Sequence, residues 1–176
     1  MSLPESLPTT GRQRIEYGQE WEDNVLSWLQ QRPGWVASLH GQRVDDGLRT
    51  VVAGTNSAIR YTPDIITRTP TNRVVYIECK RTYAETTGNH LIEVAALDAQ
   101  VEWWTEYKEP LLYAFPHDGG QSVCFMPVTS AASLFRRMPP SRNGRGSGTP
   151  YGLVRHSACT VNDPMGAILK ASMWAR

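Results

Sequence analysis

The chain has 176 residues, which is the size of one ordinary domain and enough to bury a core without disulfides or metals. Its 18 Lys and Arg residues balance 17 Asp and Glu residues, so the net charge does not by itself indicate a nucleic-acid partner. The 3 cysteines are widely spaced without a CxxC pair, which argues against a disulfide framework and a structural zinc site. With no apolar signal-like or membrane-spanning segment, we expect a cytoplasmic protein with reduced thiols.

Composition divides the chain into three regions of one domain. Residues 1–14 carry Pro and Gly with few apolar side chains and are expected to form a flexible leader. Residues 15–130 contain the regular hydrophobic patterns and are expected to form the core. Residues 131–176 are interpreted as a C-terminal extension, with an Arg-, Gly- and Pro-rich loop at about 138–150.

The first predicted element is an amphipathic helix. Apolar residues recur at helical spacing from about Gly18 to Gln31, and Pro33-Gly34 then ends the pattern. A short strand is predicted at 35–40, and a second at 48–53, either separate or continuing past a turn at 45–47. The Asp-Asp-Gly sequence of that turn is interpreted as a turn signal and not as a metal site.

The most regular strand patterns occur at 58–67 and 73–80, which are rich in Ile, Val and Tyr. The polar residues 69–72 between them are typical of a hairpin turn. These two segments therefore predict an antiparallel pair.

A long helical pattern runs from 90 to 107 and ends before Pro110, where the apolar strand 111–115 begins. His117 and Asp118 precede two glycines and are interpreted as a hairpin loop. Beyond it, a strand at 123–128 and a short helix at 131–138 are predicted, whereas the tail from Tyr151 fits no single pattern.

Three residues of the predicted hairpin suggest chemistry: Asp64 on one strand, and Glu78 and Lys80 on the next. Because side chains alternate along a strand, Glu78 and Lys80 share a face while Cys79 points away. Carboxylate oxygens are suitable ligands for Mg²⁺, and a neighbouring lysine could orient the water that attacks a phosphodiester.

The sequence Pro63-Asp64, followed by a strand ending Glu78-Cys79-Lys80, resembles the PD-(D/E)xK, or restriction-endonuclease-like, nucleases. The pattern is most similar to Holliday-junction resolvases and RecB-like nucleases. The resemblance implies an α/β fold with an αβββαβ core, in which helices flank a central mixed sheet. It also implies DNA as the partner, Mg²⁺ as the cofactor with Mn²⁺ able to substitute, and a homodimer; no Gly-rich loop indicates a nucleotide cofactor.

Relatives often add an acid from the first helix, and helical geometry favours Glu22 for that role. Glu22 lies about 50° from the centre of the apolar face, whereas Glu20 lies nearly opposite it. Glu20 therefore stays the second choice, and solvation of Glu22 at the edge of the core is the alternative. Gln100, with Trp104 four residues later, resembles the QxxxY element of RecB-like nucleases, although a surface glutamine is equally compatible.

Arginines near the motif and in the C-terminal extension are candidates for contacting a nucleic-acid backbone. These are Arg81, Arg136, Arg137, Arg142 and Arg145.

The expected function is that of a Mg²⁺-dependent nuclease that hydrolyses DNA through a metal-activated water, with Asp64, Glu78 and Glu22 as metal ligands. Two alternatives within the fold are a catalytically silent DNA-binding or assembly module and a RecB-like exonuclease. A third is an unrelated α/β domain in which Glu78 and Lys80 form a surface ion pair. A structure that places Asp64 beside both residues would exclude this third alternative.

Overall fold

A computed structural model of the chain describes residues 11–40, 62–82, 87–138 and 150–173. Short 3-10 turns lie at Asp118–Gly120 and His156–Ala158. In chain order, the helices and strands are α1 (Gly11–Gln30), β1 (Val36–Leu39), β2 (Ile65–Arg68), β3 (Val74–Cys79), β4 (Asn89–Glu93), α2 (Val94–Tyr107), β5 (Leu111–His117), β6 (Ser122–Pro127), α3 (Val128–Leu134), β7 (Arg136–Arg137), β8 (Tyr151–Arg155), β9 (Thr160–Val161) and α4 (Pro164–Met173).

The strands form two sheets. The larger has six strands in the order β1-β2-β3-β5-β6-β9, and the smaller has three in the order β4-β8-β7. The β3–β5 pair is parallel and the other pairs of the large sheet are antiparallel. The predicted α/β fold with a central mixed sheet flanked by helices is therefore confirmed.

Both faces of the large sheet are covered, which explains why β5 and β6 are buried along nearly their whole length. Helices α1 and α4 pack on one face, where the buried cluster is Trp21, Val25, Leu29, Ala37, Ile65, Val75, Ile77, Leu112, Ala114, Val123, Phe125, Ala167 and Ile168. On the other face, side chains of α2, α3 and the small sheet pack on the strands, and that cluster is Ile92, Leu97, Leu111, Tyr113, Phe115, Cys124, Met126, Val128, Ala131 and Val154.

The predicted hairpin of β2 and β3 is confirmed. Its turn is closed by a hydrogen bond from the Asn72 N–H to the Thr69 carbonyl (2.9 Å), and Asn72 adopts a left-handed backbone with φ of 64°. Asparagine tolerates this conformation better than most residues do. The register pairs Ile65 with Ile77, so the preceding Asp64 lies across from Glu78.

The predicted helix at 90–107 is wrong at its start, because residues 89–93 form β4. His90 and Ile92 are buried while Leu91 is exposed, which is the alternation of a strand. The partner of β4 is β8, which lies in the tail from Tyr151 that fits no single pattern. A short apolar run is compatible with both the helical and the strand periodicity, and pairing with the distant strand β8 determines the strand here.

Several other boundaries differ from the predicted ones. Helix α1 begins at Gly11, earlier than predicted, and the short helix covers 128–134 where 131–138 was predicted. The strand predicted at 58–67 is observed as β2 at 65–68. Residues 58–61, the turn at 45–47 and the strand at 48–53 lie outside the described residues.

Within the described part of the chain, the helices are too short or too polar for any of them to cross a bilayer.

One buried hydrogen bond attaches α1 to the centre of the large sheet. The indole N–H of Trp21 donates to the carbonyl of Ala114 on β5 (3.1 Å), and the Lys80 N–H donates to the same oxygen (3.0 Å). The helix that carries Glu22 and the strand end that carries Lys80 are therefore fixed to one backbone atom.

The substitution Trp21→Phe removes this indole donor and leaves unfilled volume. We expect it to lower the free energy of unfolding by about 2 kcal/mol, from one net hydrogen bond and a small cavity. Denaturant-induced unfolding measures this loss. Trp35→Phe, at a half-buried tryptophan on the edge of the same core, is the control and should cost less than about 1 kcal/mol. Equal stability of Trp21→Phe and wild type would contradict this role of Trp21.

Candidate metal and catalytic site

Asp64 lies just before β2, held by backbone groups of both neighbouring strands. Its carbonyl accepts a hydrogen bond from the His40 N–H (2.8 Å), and its Oδ2 accepts one from the Cys79 N–H (2.7 Å). Cys79 is the residue between Glu78 and Lys80, so this second bond holds the Asp64 carboxylate close to the backbone that carries both of them. The aspartate is half-buried and its position is set by the hairpin register.

Glu78 and Lys80 project together from the end of β3, as strand alternation predicts. The Lys80 ammonium donates to Glu78 Oε1 at 2.6 Å. The second oxygen of the glutamate, Oε2, is buried and has no hydrogen-bond partner among the described residues. Glu78 is only 6% exposed. With Asp64 beside both residues, the pair is not a surface ion pair of an unrelated domain.

Burial and neighbouring like charges both act on the Asp64 carboxyl. Burial raises the pKa of its carboxyl well above the ordinary value, and the charges of Glu78 and Glu22 raise it further. Burial alone would lower the pKa of Lys80, but Glu78 and Asp64 outweigh that effect and hold the pKa above its ordinary value. Lys80 is therefore a permanent cation beside carboxylates that repel one another.

The two acids of α1, Glu22 and Glu20, have different neighbours. The charge of Glu22 acts on the Asp64 carboxyl, so this side chain lies towards the site. Glu20 is exposed and forms an ion pair with Arg81 at 2.5 Å. Arg81 also donates to the Tyr17 carbonyl (2.7 Å), and its side chain is 8% exposed. Arg81, a predicted nucleic-acid contact, thus lies beneath α1 and fixes that helix.

Gln100, on α2, is fully buried next to the site. The Tyr113 hydroxyl donates to Gln100 Oε1, and the amide nitrogen has no partner among the described residues. Tyr113 pairs in register with Glu78 on the neighbouring parallel strand. Burial first, and the charge of Glu78 second, raise the pKa of the Tyr113 phenol, so it stays a hydrogen-bond donor.

One acid near the site, Glu93, was not identified from the sequence. It precedes α2, accepts a hydrogen bond from the Tyr151 hydroxyl (3.2 Å), and contributes to raising the pKa of Lys80. The helical interpretation of 90–107 assigned Glu93 to the wrong element.

The predicted arginines of the C-terminal extension fall into two sets. Arg136 and Arg137 are exposed on β7, one of the two edge strands of the small sheet. Arg142 and Arg145 lie outside the described residues.

The side chains fit a hard divalent cation such as Mg²⁺ or Mn²⁺. Such ions prefer carboxylate oxygens. Asp64, Glu78 and Glu22 carry more negative charge than Lys80 neutralises, and a buried oxygen of Glu78 lacks a partner among the described residues. A cation would satisfy that oxygen and relieve the repulsion that, together with burial, raises the pKa of Asp64.

No protein-family model and no curated protein sequence matches the chain. Solved structures do match it. The 1.6 Å structure of Archaeoglobus fulgidus Hjc, a Holliday junction resolvase, gives a TM-score of 0.51 at 12% identity, covering 85% of this chain and 94% of Hjc. A nuclease from a fusselovirus gives a TM-score of 0.51 at 11% identity, covering 98% of this chain and 100% of the viral protein. The predicted resemblance to PD-(D/E)xK nucleases is thereby confirmed at the level of the fold.

Asp64→Asn should stabilise the metal-free protein at neutral pH. The native state keeps the Asp64 proton at pH values where the unfolded chain has lost it, because the pKa is raised on folding; stability therefore falls as pH rises through that window. Asparagine removes this cost while its Oδ1 can still accept from the Cys79 N–H. We expect the Tm in EDTA to rise by about 2–4 °C, corresponding to about 1 kcal/mol in a domain of this size.

The thermal unfolding of this variant is compared with that of Asp98→Asn, at an exposed position on α2, which should leave the Tm unchanged. A lower Tm for Asp64→Asn than for wild type would contradict the repulsion at this site.

Proposed function

We propose that the chain is a Mg²⁺-dependent nuclease that hydrolyses DNA phosphodiester bonds, acting as an endonuclease of the resolvase type. One observation carries the proposal: a buried oxygen of Glu78 that has no partner among the described residues lies near the mutually repelling carboxylates of Asp64 and Glu22, with Lys80 beside them. Such a cluster is costly to a fold and is more typical of catalysis than of stability. The fold shared with a resolvase and a viral nuclease supports the same reaction class.

Asp64, Glu78 and Glu22 would hold the metal in this proposal, and Mn²⁺ could replace Mg²⁺. A bound ion of this kind supplies Lewis acidity at the phosphate. Lys80 keeps its proton, so it acts as a fixed positive charge that orients the attacking water and stabilises the charge that develops on phosphate. Its bond to Glu78 sets the direction of the ammonium.

Gln100 is assigned a positioning role in this proposal. Its carbonyl oxygen accepts from Tyr113, whose backbone pairs with that of Glu78, so it supports the strand that carries the glutamate. Its buried amide nitrogen is a donor that a carboxylate oxygen could accept from.

The DNA backbone is proposed to contact Arg136, Arg137, Arg142 and Arg145. The Met138 N–H donates to the Tyr151 carbonyl, and the Val94 N–H donates to the Pro150 carbonyl (2.9 and 3.0 Å). Tyr151 in turn bonds Glu93, whose charge acts on Lys80. Met138 and Pro150, which flank residues 139–149 in the sequence, are therefore hydrogen-bonded to neighbours of Glu93. Cutting both strands of a duplex together uses two active sites, so we also propose that the chain forms a homodimer.

The proposal predicts metal-dependent cleavage. With Mg²⁺ or Mn²⁺, wild type should cut at least one of linear duplex, single-stranded, supercoiled and four-way-junction DNA, and EDTA should stop it. Asp64→Ala and Lys80→Ala should each lower the single-turnover rate by about 10²-fold or more, because each removes a group acting on the reacting phosphate. Gel-resolved cleavage of labelled DNA measures these rates.

Lys170→Ala, at an exposed position on α4, is the matched control and should cut like wild type. Wild type that binds DNA but cuts none of the four substrates would instead support a silent binding module. Cleavage by Asp64→Ala at the wild-type rate would also contradict the proposal, whereas cleavage only from DNA ends would favour an exonuclease.

The two acids of α1 give a matched pair of variants. Glu22→Gln should lower the cleavage rate by about 10-fold or more and raise the Mg²⁺ concentration needed for half-maximal activity, because it removes a metal-directed charge. Glu20→Gln should change neither quantity much, since glutamine can still accept from Arg81. Mg²⁺ titrations of both variants measure the difference. The reverse order of effects would assign the helix acid to Glu20.

A further inference from the structure

A second group of metal-ligating side chains lies away from the carboxylates. It consists of His90 on β4, Cys124 on β6, and His156 and Cys159 in and just after a 3-10 turn. One donor atom from each of the four lies within 4.8 Å of every other. His90 and Cys124 are fully buried, and His156 and Cys159 are half-buried.

We propose that these four residues, the donor cluster, bind one Zn²⁺ in a structural Cys₂His₂ site. Two thiolates and two imidazoles are the donors that favour Zn²⁺ over the hard ions held by carboxylates. Four protein ligands leave no open position, which is the arrangement of a structural ion. The site is thus independent of the proposed nuclease chemistry in both ligands and metal preference.

The separations of the donor atoms are within about 1 Å of those around a single tetrahedral ion. Zn–N and Zn–S bonds of usual length place neighbouring donors about 3.3–3.8 Å apart. Here His90 Nε2 lies 2.9 Å from His156 Nδ1, and Cys124 Sγ lies 3.8 Å from the same nitrogen. Small rotations of the side chains would therefore complete the tetrahedron.

The orientation of His90 is already that of a ligand. Its Nδ1 lies 2.9 Å from the Thr82 carbonyl, which can only accept, so Nδ1 carries the proton and Nε2 presents its lone pair to the cluster. Ligating histidines commonly donate their other ring N–H to a backbone carbonyl in this way. Phe115 stacks on the imidazole, with ring centroids 3.9 Å apart, and holds its plane.

Local geometry brings the other ligands together. His156 and Cys159 are separated by two residues, and the Cys159 N–H donates to the His156 carbonyl (2.9 Å), so both side chains leave one tight turn. The sulfur atoms of Cys124 and Cys159 lie within 4.8 Å of each other. Together the four ligands join the small sheet, through β4 and the turn after β8, to β6 of the large sheet.

The spacing of the cysteines alone does not indicate this site. Cys79, the third cysteine, lies on β3 outside the cluster. The histidines that complete the set are distant in sequence from Cys124, and only the fold brings them together.

The test is the metal content of the full chain, purified under reducing conditions without chelator after growth with added Zn²⁺. We expect about one Zn²⁺ per chain by elemental analysis, falling below about 0.1 in Cys159→Ser and in His156→Ala. Three variants should keep the metal: Cys79→Ser, Asp64→Asn, and His117→Ala, whose imidazole stacks on His156 without belonging to the cluster.

Absence of Zn²⁺ from wild type, retention in both cluster variants, or loss in Asp64→Asn would overturn the proposal. A Cys124–Cys159 disulfide found by mass spectrometry in the reduced preparation would overturn it as well. Because a cluster variant that fails to fold also loses metal, a Co²⁺ titration of metal-free wild type is the second measurement. It should give a thiolate-to-cobalt absorption band and the intense visible bands of tetrahedral Co²⁺, saturating at about one equivalent. Weak octahedral bands without a thiolate band would contradict the assignment.

Discussion

Repulsion among carboxylates at the end of one hairpin is the constraint on which the proposed site depends. The carboxylates of Asp64, Glu78 and Glu22 lie close together beside Lys80, and burial first, then the charges of Glu78 and Glu22, raise the pKa of Asp64. The backbone maintains this arrangement because the Cys79 N–H binds the Asp64 carboxylate and the β2–β3 register places Asp64 across from Glu78. A divalent cation is the partner that such a group favours, since it replaces repulsion with attraction.

The rest of the fold holds these carboxylates in place. The parallel β3–β5 pair is buried between the two hydrophobic clusters, and the Ala114 carbonyl on β5 accepts from both Trp21 and Lys80. Arg81 binds α1 through the Tyr17 carbonyl and the Glu20 carboxylate. Glu22 is the acid of that helix whose charge acts on Asp64. The proposed zinc cluster adds to this support, because His90 is held by the carbonyl of Thr82, two residues beyond Lys80.

Local rules in the sequence were sufficient to predict the hairpin and to place Glu78 beside Lys80. Alternation along β3 put Glu78 and Lys80 on one face, and helical phase distinguished Glu22 from Glu20. What could not be predicted depended on contacts between distant segments. Residues 89–93 form a strand because β8 pairs with them. Since a helix was predicted there, Glu93 was not recognised as an acid near Lys80. Arg81 was predicted to contact nucleic acid, and its burial against α1 depends on contacts with that distant helix; the donor cluster is likewise assembled from separate elements.

The most direct test of the carboxylate site is to locate a bound Mn²⁺ ion by anomalous X-ray scattering from crystals of the full chain. The account predicts a peak within about 2.0–2.3 Å of carboxylate oxygens of Asp64 and Glu78. Glu22 should lie close to the same peak, directly or through a water. A Mn²⁺-soaked crystal in which no peak adjoins Asp64 and Glu78, with Lys80 filling the space between them, would contradict the account.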